Sequence, residues 1–304
     1  MAEIVILGVF VADTAYRADR MPRMGETILG NAFLLGPGGK GSNQSVAAAR
    51  LGADVSFITK LGRDDFADLA LKTWQEAGVT PCVEQLSDSY TGAAFIFLEE
   101  SSGDNAIIIS PGAAAHIGVA DMEKNADLIA RASVFMTQLE QPLDAAHRAL
   151  KIARDAGVIT ILNPAPAAIL SNEIIALCDY ITPNETEAEA LTGISVDTVE
   201  DAQKACSRFV DMGVKTPIIT LGERGAYVHG LGRVKAVKAG AVVETTGAGD
   251  AFNAGLATGL SEGKPLEDAV RLACATAGLS VTKSGAAPSM PSRKEVDALL
   301  AKLV

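Results

Sequence analysis

This chain is poor in histidine, cysteine, aromatic side chains and positive charge, and each shortage removes a class of function. It has three histidines, four cysteines and one tryptophan in 304 residues, and aromatics make up 5%. His116, His147 and His229 lie far apart, with no HExxH pattern, so the usual zinc-enzyme signatures are excluded. Cys82, Cys178, Cys206 and Cys274 are scattered without a CxxC pair. That excludes a disulfide framework and a thiolate metal site, and fits free thiols in a reducing cytoplasm. No apolar run approaches the roughly 18 residues a membrane span needs. The opening "MAEIVILGVFVADTAY" lacks a basic leader and runs straight into a strand pattern, so no signal peptide is expected and the cytoplasm is the expected location. Lysine and arginine total 26 against 37 acids, a net charge of −11. Nucleic acid and anionic membrane surfaces are therefore poor partners, whereas a small anion held by local amides remains open.

What is present reads as an α/β protein. At 48% hydrophobic, the chain has ordinary globular content and length for one large domain with an extra element, or two modest ones. Apolar runs at 3–9, 55–62, 133–139, 158–163, 179–184 and 216–222 read as buried strands. Helical spacing occupies 42–51, 65–78, 143–157, 185–193 and most of 250–302. This alternation predicts a mostly parallel sheet with helices on both faces. Two β-rich stretches, about 10–36 and 81–110, break the rhythm and read together as a small antiparallel lid. No fixed-period repeat or low-complexity tract is visible.

Ligands of such sheets bind at the carboxyl ends of the strands. Asp13, Glu140, Asn163, Asn184 and Gly222 all fall at those places. Two glycine loops join them. "GPGGKGSNQ" (36–44) fits neither the Walker pattern nor the dinucleotide fingerprint. It is either a plain turn before a helix or a loop that lets backbone approach a ligand, with Lys40 as cation and Asn43 as amide. In "ETTGAGDAF" (244–252), Gly247, Ala248 and Gly249 precede a stripe of Phe252, Leu256 and Leu260, which puts them at a helix N-terminus. Their N–H groups lack intrahelical acceptors and favour an anion. Asp250 is then either a first-turn acid stabilising the helix by about 1 kcal/mol, or a base that takes a hydroxyl proton while the amides hold a transferring phosphoryl group. "NETEAEALTG" (184–193) can be read similarly, as an acidic first turn or as Mg²⁺-organising oxygens.

These pieces together resemble the ribokinase-like (PfkB) carbohydrate kinases over nearly the whole chain. The resemblance rests on "MGETILG" (24–30), "GGKGSNQSVAAARLGADVSFI" (38–58), "QLEQP" (138–142), "LNPAPA" (162–167), "TPNETEAEALTG" (182–193), "TLGERGA" (220–226), "TTGAGDAFNAG" (245–255) and "SGAAPSMP" (284–291). It implies one kinase domain over 1–304 and ATP-dependent phosphorylation of a primary sugar hydroxyl, the 5-hydroxyl of ribose or a close pentose. By the same resemblance Asp250 is the catalytic base and Gly247, Ala248 and Gly249 form the anion hole. Asp13, Gly39, Lys40, Asn43 and Glu140 match sugar contacts, and Ala94 and Ile96 match apolar residues reaching over the sugar from the lid. Asn184 and Glu187 match a pair that organises Mg²⁺ and phosphates through water. Thr220, Gly222 and Gly225 match the nucleotide loop, with Cys274 near the adenine. Glu244, Thr246, Ser280, Lys283, Gly285 and Ser289 fall at positions of a monovalent-cation site, usually K⁺. Family members commonly form homodimers through the lid, and the same is expected here.

Two residues depart from the family's pattern. Val11 stands where an asparagine is usual, two positions before Asp13, and cannot bond a hydroxyl. A 2-deoxy sugar or another stereochemistry suits it as well as ribose. Glu244 stands where aspartate is usual, one methylene longer at the cation site. Three readings result: a ribose kinase; a kinase of the same fold for 2-deoxyribose, another sugar or a nucleoside; and a catalytically silent sugar-binding regulator. The scarcity of aromatics disfavours a nucleoside, and the intact acid and glycine loop disfavour the silent protein.

Overall fold

The computed structural model describes residues 3–302, so the outermost positions of the expected 1–304 domain lie outside the described residues. The chain opens with β1 (Glu3–Leu7), β2 (Val11–Ala18), β3 (Ala32–Gly38), α1 (Lys40–Arg50), β4 (Asp54–Leu61), α2 (Asp65–Ala77) and β5 (Thr80–Gln85). It continues through β6 (Thr91–Glu99), β7 (Asn105–Gly112), α3 (Val119–Lys124), α4 (Ala126–Ala130), β8 (Val134–Thr137), α5 (Leu143–Asp155), β9 (Ile159–Leu162), α6 (Asn172–Ile175) and β10 (Tyr180–Ile181). The last third carries α7 (Glu185–Thr192), α8 (Val199–Asp211), β11 (Thr216–Thr220), β12 (Ala226–Val228), β13 (Gly232–Val234), α9 (Ala248–Ser261), α10 (Leu266–Ser280) and α11 (Arg293–Leu300).

Nine strands form the main sheet in the order β13-β12-β11-β10-β9-β8-β1-β4-β5. All pairings from β5 to β11 are parallel, and β12 and β13 close one edge as antiparallel strands. Continuous apolar runs are required here because both faces are covered. In β1, Ile4 and Ile6 pack with Val46, Trp74 and Leu256 in one core, while Val5 and Leu7 pack with Phe135, Leu150 and Phe209 in the other. Burying one such side chain fully contributes about 1.5–3 kcal/mol. From β1 the chain runs outward to β4 and β5, then returns to place β8 on the other side of β1. That reversal opens a crevice at the carboxyl ends of β1 and β8.

The second sheet has four strands in the order β3-β2-β6-β7. Its outer pairings are antiparallel and its central β2–β6 pairing is parallel. The sequence-based lid is corrected at one boundary. Residues 80–85 pair in parallel with β4 as the edge of the main sheet, so the smaller sheet takes up the second stretch only from Thr91. Edge strands are half exposed and lose the continuous apolar signature, which made β5 look like lid. α8 is not among the helices that the sequence pattern predicts. It is a regular helix, begun by a Thr198–Asp201 capping box and burying Ala202, Ala205, Cys206 and Phe209. Among the described residues no helix is long and apolar enough to cross a membrane.

Candidate active site

The site forms where the N-termini of α1 and α9 meet the crevice. The chain enters α1 through Gly38 and Gly39, and neither position accepts a side chain. A Cβ on Gly38 would overlap the Asp13 carboxylate, and one on Gly39, at φ 88°, would come 2.5 Å from the Val9 carbonyl oxygen. The loop thus packs Gly38 directly against the Asp13 carboxylate, just before α1. Asp13 lies within β2 rather than after β1. In register it faces Ala94 of β6, and its i+2 neighbour Ala15 faces Ile96, so Val11, Asp13, Ala94 and Ile96 share one face of the smaller sheet. Val11 is buried there at 5% exposure.

α9 begins at Ala248, with Gly247 as its cap in the left-handed region at φ 79°. The free donors differ from expectation at one residue. Ala248 N–H already donates to the Thr245 carbonyl at 3.1 Å. The N–H groups of Gly247, Gly249 and Asp250 have no protein acceptor among the described residues. A Cβ built on Gly249 meets nothing within 4 Å, so this turn faces open space. Ala248 thus braces the loop, and the unpaired amides of this turn are those of Gly247, Gly249 and Asp250 among the described residues.

Asp250 is 5% exposed. Its Oδ2 accepts from Asn43 Nδ2 and its Oδ1 from Gln44 Nε2, each at 3.0 Å. Burial pushes its carboxyl upward, opposed by the charge of Lys40 and by these two amide donors. Glu140, next to the end of β8, accepts from Lys40 N–H at 2.7 Å. Burial raises it to about 7, against the pull of Lys40 and with a further push from Asp250 and Asp13. Asp13 is raised by burial to about 6. The Oδ1 of Asn43 is buried without a protein partner among the described residues, which suits a ligand hydroxyl.

A cleft of about 230 Å³ opens beside these groups. It brings together Lys40, Asn184, Glu187, Thr220, Gly247, Gly249 and Asp250, all singled out from sequence. Asn184 and Glu187 form a capping box on α7, Asn184 Oδ1 accepting from Glu187 N–H at 2.8 Å and Glu187 Oε2 from Asn184 N–H at 2.9 Å. The acidic turn therefore caps its helix, and the box holds two oxygen-bearing side chains on the cleft wall. Burial raises Glu187, with Asp250 adding to the effect. Gly222 follows β11 at φ 53°, and a side chain on Gly225 would overlap the Val234 carbonyl of β13. Cys274 is 5% exposed inside the core, its thiol pushed by burial to about 12, and it does not line the cleft.

Of the residues read as a cation site, Glu244 and Gly285 are brought into contact. Glu244 Oε2 accepts from Gly285 N–H at 2.9 Å, tying the loop before α9 to the turn after α10. The hydroxyls of Ser280 and Ser289 donate to the carbonyls of Ala277 and Ala286. Lys283 points elsewhere, to Glu295 at 2.8 Å, and Thr246 is exposed in the loop. Residues that sequence reasoning passed over include Gln44, Gln138, Thr182 and Asn253. Asn253 Nδ2 donates to the Gly249 carbonyl at 2.9 Å and its Oδ1 accepts from Thr182 at 2.6 Å, bracing the glycine turn. Its spacing of three from Asp250 was the available signal.

The family model described as pfkB family carbohydrate kinase matches residues 1–293. The chain belongs to the pfkB family of carbohydrate kinases. This pfkB kinase is 41% identical over 295 residues to the ribokinase of Haemophilus influenzae, covering 96% of each. It is 36% identical over 307 residues to the deoxyribokinase of Salmonella typhimurium, covering 98% of each. Among solved structures, Arabidopsis thaliana ribokinase complexed with ribose and ATP aligns with a TM-score of 0.94 at 33% identity, over 98% of each chain. The expected mostly parallel sheet and smaller second sheet are thus those of the family's ribokinases.

Proposed function

We propose that this protein is an ATP-dependent kinase of the primary 5-hydroxyl of ribose or a closely related pentose, working as one kinase domain with the smaller sheet as lid. The observation that carries the reading is the buried Asp250 carboxylate, bonded by two amides, beside free N–H groups at the start of α9.

Asp250 takes the proton of the attacking hydroxyl as the new O–P bond forms and the bond from the γ-phosphorus to its bridging oxygen breaks, that oxygen keeping the electron pair and leaving as part of ADP. General-base action of this kind contributes about 10²–10⁴ in rate. Asn43 and Gln44 hold the carboxylate in place, and together with the charge of Lys40 they favour its ionised form against the upward push of burial. The N–H groups of Gly247, Gly249 and Asp250 face the position where negative charge develops, in a site that costs no reorganisation. Asp13, Gly39, Lys40, Asn43 and Glu140 hold the sugar, with Val11, Ala94 and Ile96 as its apolar cover. The open Gly249 turn and the capping box of Asn184 and Glu187 fit a triphosphate, with Thr220, Gly222 and Gly225 toward the nucleotide. Bound Mg²⁺ would neutralise phosphate charge, reached from Asn184 and Glu187 through water. A K⁺ ion would sit by the loop before α9, a reading supported by the hard oxygens that Glu244 offers where it bonds Gly285. Free cysteines and ATP as donor suit the cytoplasm.

A second acceptor, 2-deoxyribose, is favoured by one observation: buried Val11 offers no hydrogen bond on the site face. The deoxyribokinase relative supports the same option. We also propose a homodimer through the smaller sheet, which exposes Phe33, Leu34, Ile107 and Ile108. An ADP-release assay over ribose, 2-deoxyribose, other pentoses and hexoses tests the function. Turnover with ribose or 2-deoxyribose is expected, and no ADP release with either overturns the reading.

A further inference from the structure

We infer that Gln44 is a positioning residue for Asp250, its amide fixing one carboxylate oxygen while Gln138 fixes the amide. The inference deepens the kinase reading and rests on it for its kinetic test. Gln44 is fully buried in α1. Its Nε2 donates to Asp250 Oδ1 at 3.0 Å and to Asn163 Oδ1 at 3.1 Å. Its Oε1 accepts from Gln138 Nε2 at 2.6 Å. Each group of the amide therefore has its partner. A flipped amide would set its oxygen against two acceptors and its nitrogen against a donor, leaving buried groups unpaired at about 1–3 kcal/mol each.

The partners come from the crevice itself. Gln138 follows β8 and is fully buried, its carbonyl accepting from Gln141 Nε2 at 2.6 Å. Asn163 follows β9 and donates to the Thr182 carbonyl at 3.3 Å. Thus the carboxyl ends of two parallel strands set the amide of one helix, and that amide sets an acid on another helix. With Asn43 on the second oxygen, the carboxylate plane is pinned at both ends. Among the described residues only Asn43 and Gln44 hydrogen-bond the Asp250 oxygens. The charged groups around it are Lys40 of α1, Glu140 after β8, Glu187 of α7 and, through Glu140, Asp13 of β2.

The test uses the full chain with Gln44→Met, Gln138→Met and both together, each checked for folding by its thermal midpoint. Gln44→Met is expected to lower kcat about 10–100-fold with sugar KM within about 3-fold, because the lost function is orientation rather than binding. Gln138→Met, which reaches Asp250 only through Gln44, is expected to lower kcat about 3–10-fold and to add nothing to Gln44→Met. A folded Gln44→Met with wild-type kcat overturns the inference, as do two effects that multiply. Crystal structures of wild type and Gln44→Met give a readout independent of turnover. A carboxylate rotated by more than about 30° supports positioning and an unmoved one overturns it. If Gln44→Met does not fold, Gln138→Met carries both arms under the same criteria. Wild-type protein that phosphorylates neither ribose nor 2-deoxyribose defeats the kinase reading alone, and the crystallographic arm still decides the role of Gln44.

Discussion

Where α1 meets α9, polar side chains are buried and bonded; on the smaller sheet, apolar side chains are exposed. Asn43, Gln44, Asp250 and Asn253 are all at most 5% exposed, whereas Phe33 is 57%, Leu34 64% and Ile108 64% exposed. A buried polar group costs free energy unless it is paired, so the first region is fixed by mutual bonding. An exposed apolar patch has no such constraint and is stabilised only by what covers it. The first region suits chemistry that needs a held geometry, and the second is where the proposed sugar cover and the proposed contact with another copy of the chain fall.

The strongest way to break this contrast is to neutralise the buried acid. Asp250→Asn is expected to lower kcat by about 10³-fold or more while sugar affinity changes little, since shape is kept and the proton acceptor is lost. Turnover near wild type, measured by ADP release, would place the chemistry elsewhere. On the exposed side, Ile108→Glu is expected to weaken dimerisation at least about tenfold, read by sedimentation velocity, because it sets a charge in an apolar contact. A monomeric wild type would overturn the proposed interface on the smaller sheet. Between the two regions, Val11→Asn is expected to shift the ribose to 2-deoxyribose ratio of kcat/KM toward ribose by about tenfold. An unchanged ratio would mean that position 11 does not meet the variable hydroxyl.

The smallest effect concerns pH. Glu140 lies at about 7 in the folded protein against an ordinary 4.5, raised by burial. A raised value means the folded state binds the proton more tightly, so this contribution is full below about 4.5 and is lost as pH rises through about 7. Glu140→Gln keeps the acceptor for Lys40 N–H and removes the titration. It is expected to melt a few degrees above wild type at about pH 8, and the gap should close below about pH 5. A constant gap, followed by calorimetry across pH, would mean that the acid does not titrate in this range.

Local patterns were legible because their causes are local. The apolar runs of β1, β4, β8 and β11 announce a sheet covered on both faces, and "TTGAGDAF" announces a helix start with free amides. β5 was misplaced because an edge strand is half exposed, and Ala248 because its N–H bends back to Thr245. Gln44 and Gln138 were missed because nothing in "SNQ" or "QLEQ" shows that the two glutamines meet.

By itself the sequence determined which residues carry charge, which loops free their amides, and the alternation that makes a parallel sheet. These depend on side-chain type and on neighbours three or four positions apart. Only the tertiary structure decided that Asp250 is held by Asn43 and Gln44, some two hundred positions away, with Gln138 behind them. That decision belongs to topology: the reversal of strand order beside β1 brings distant segments to one crevice, and burial there makes every unpaired polar atom costly.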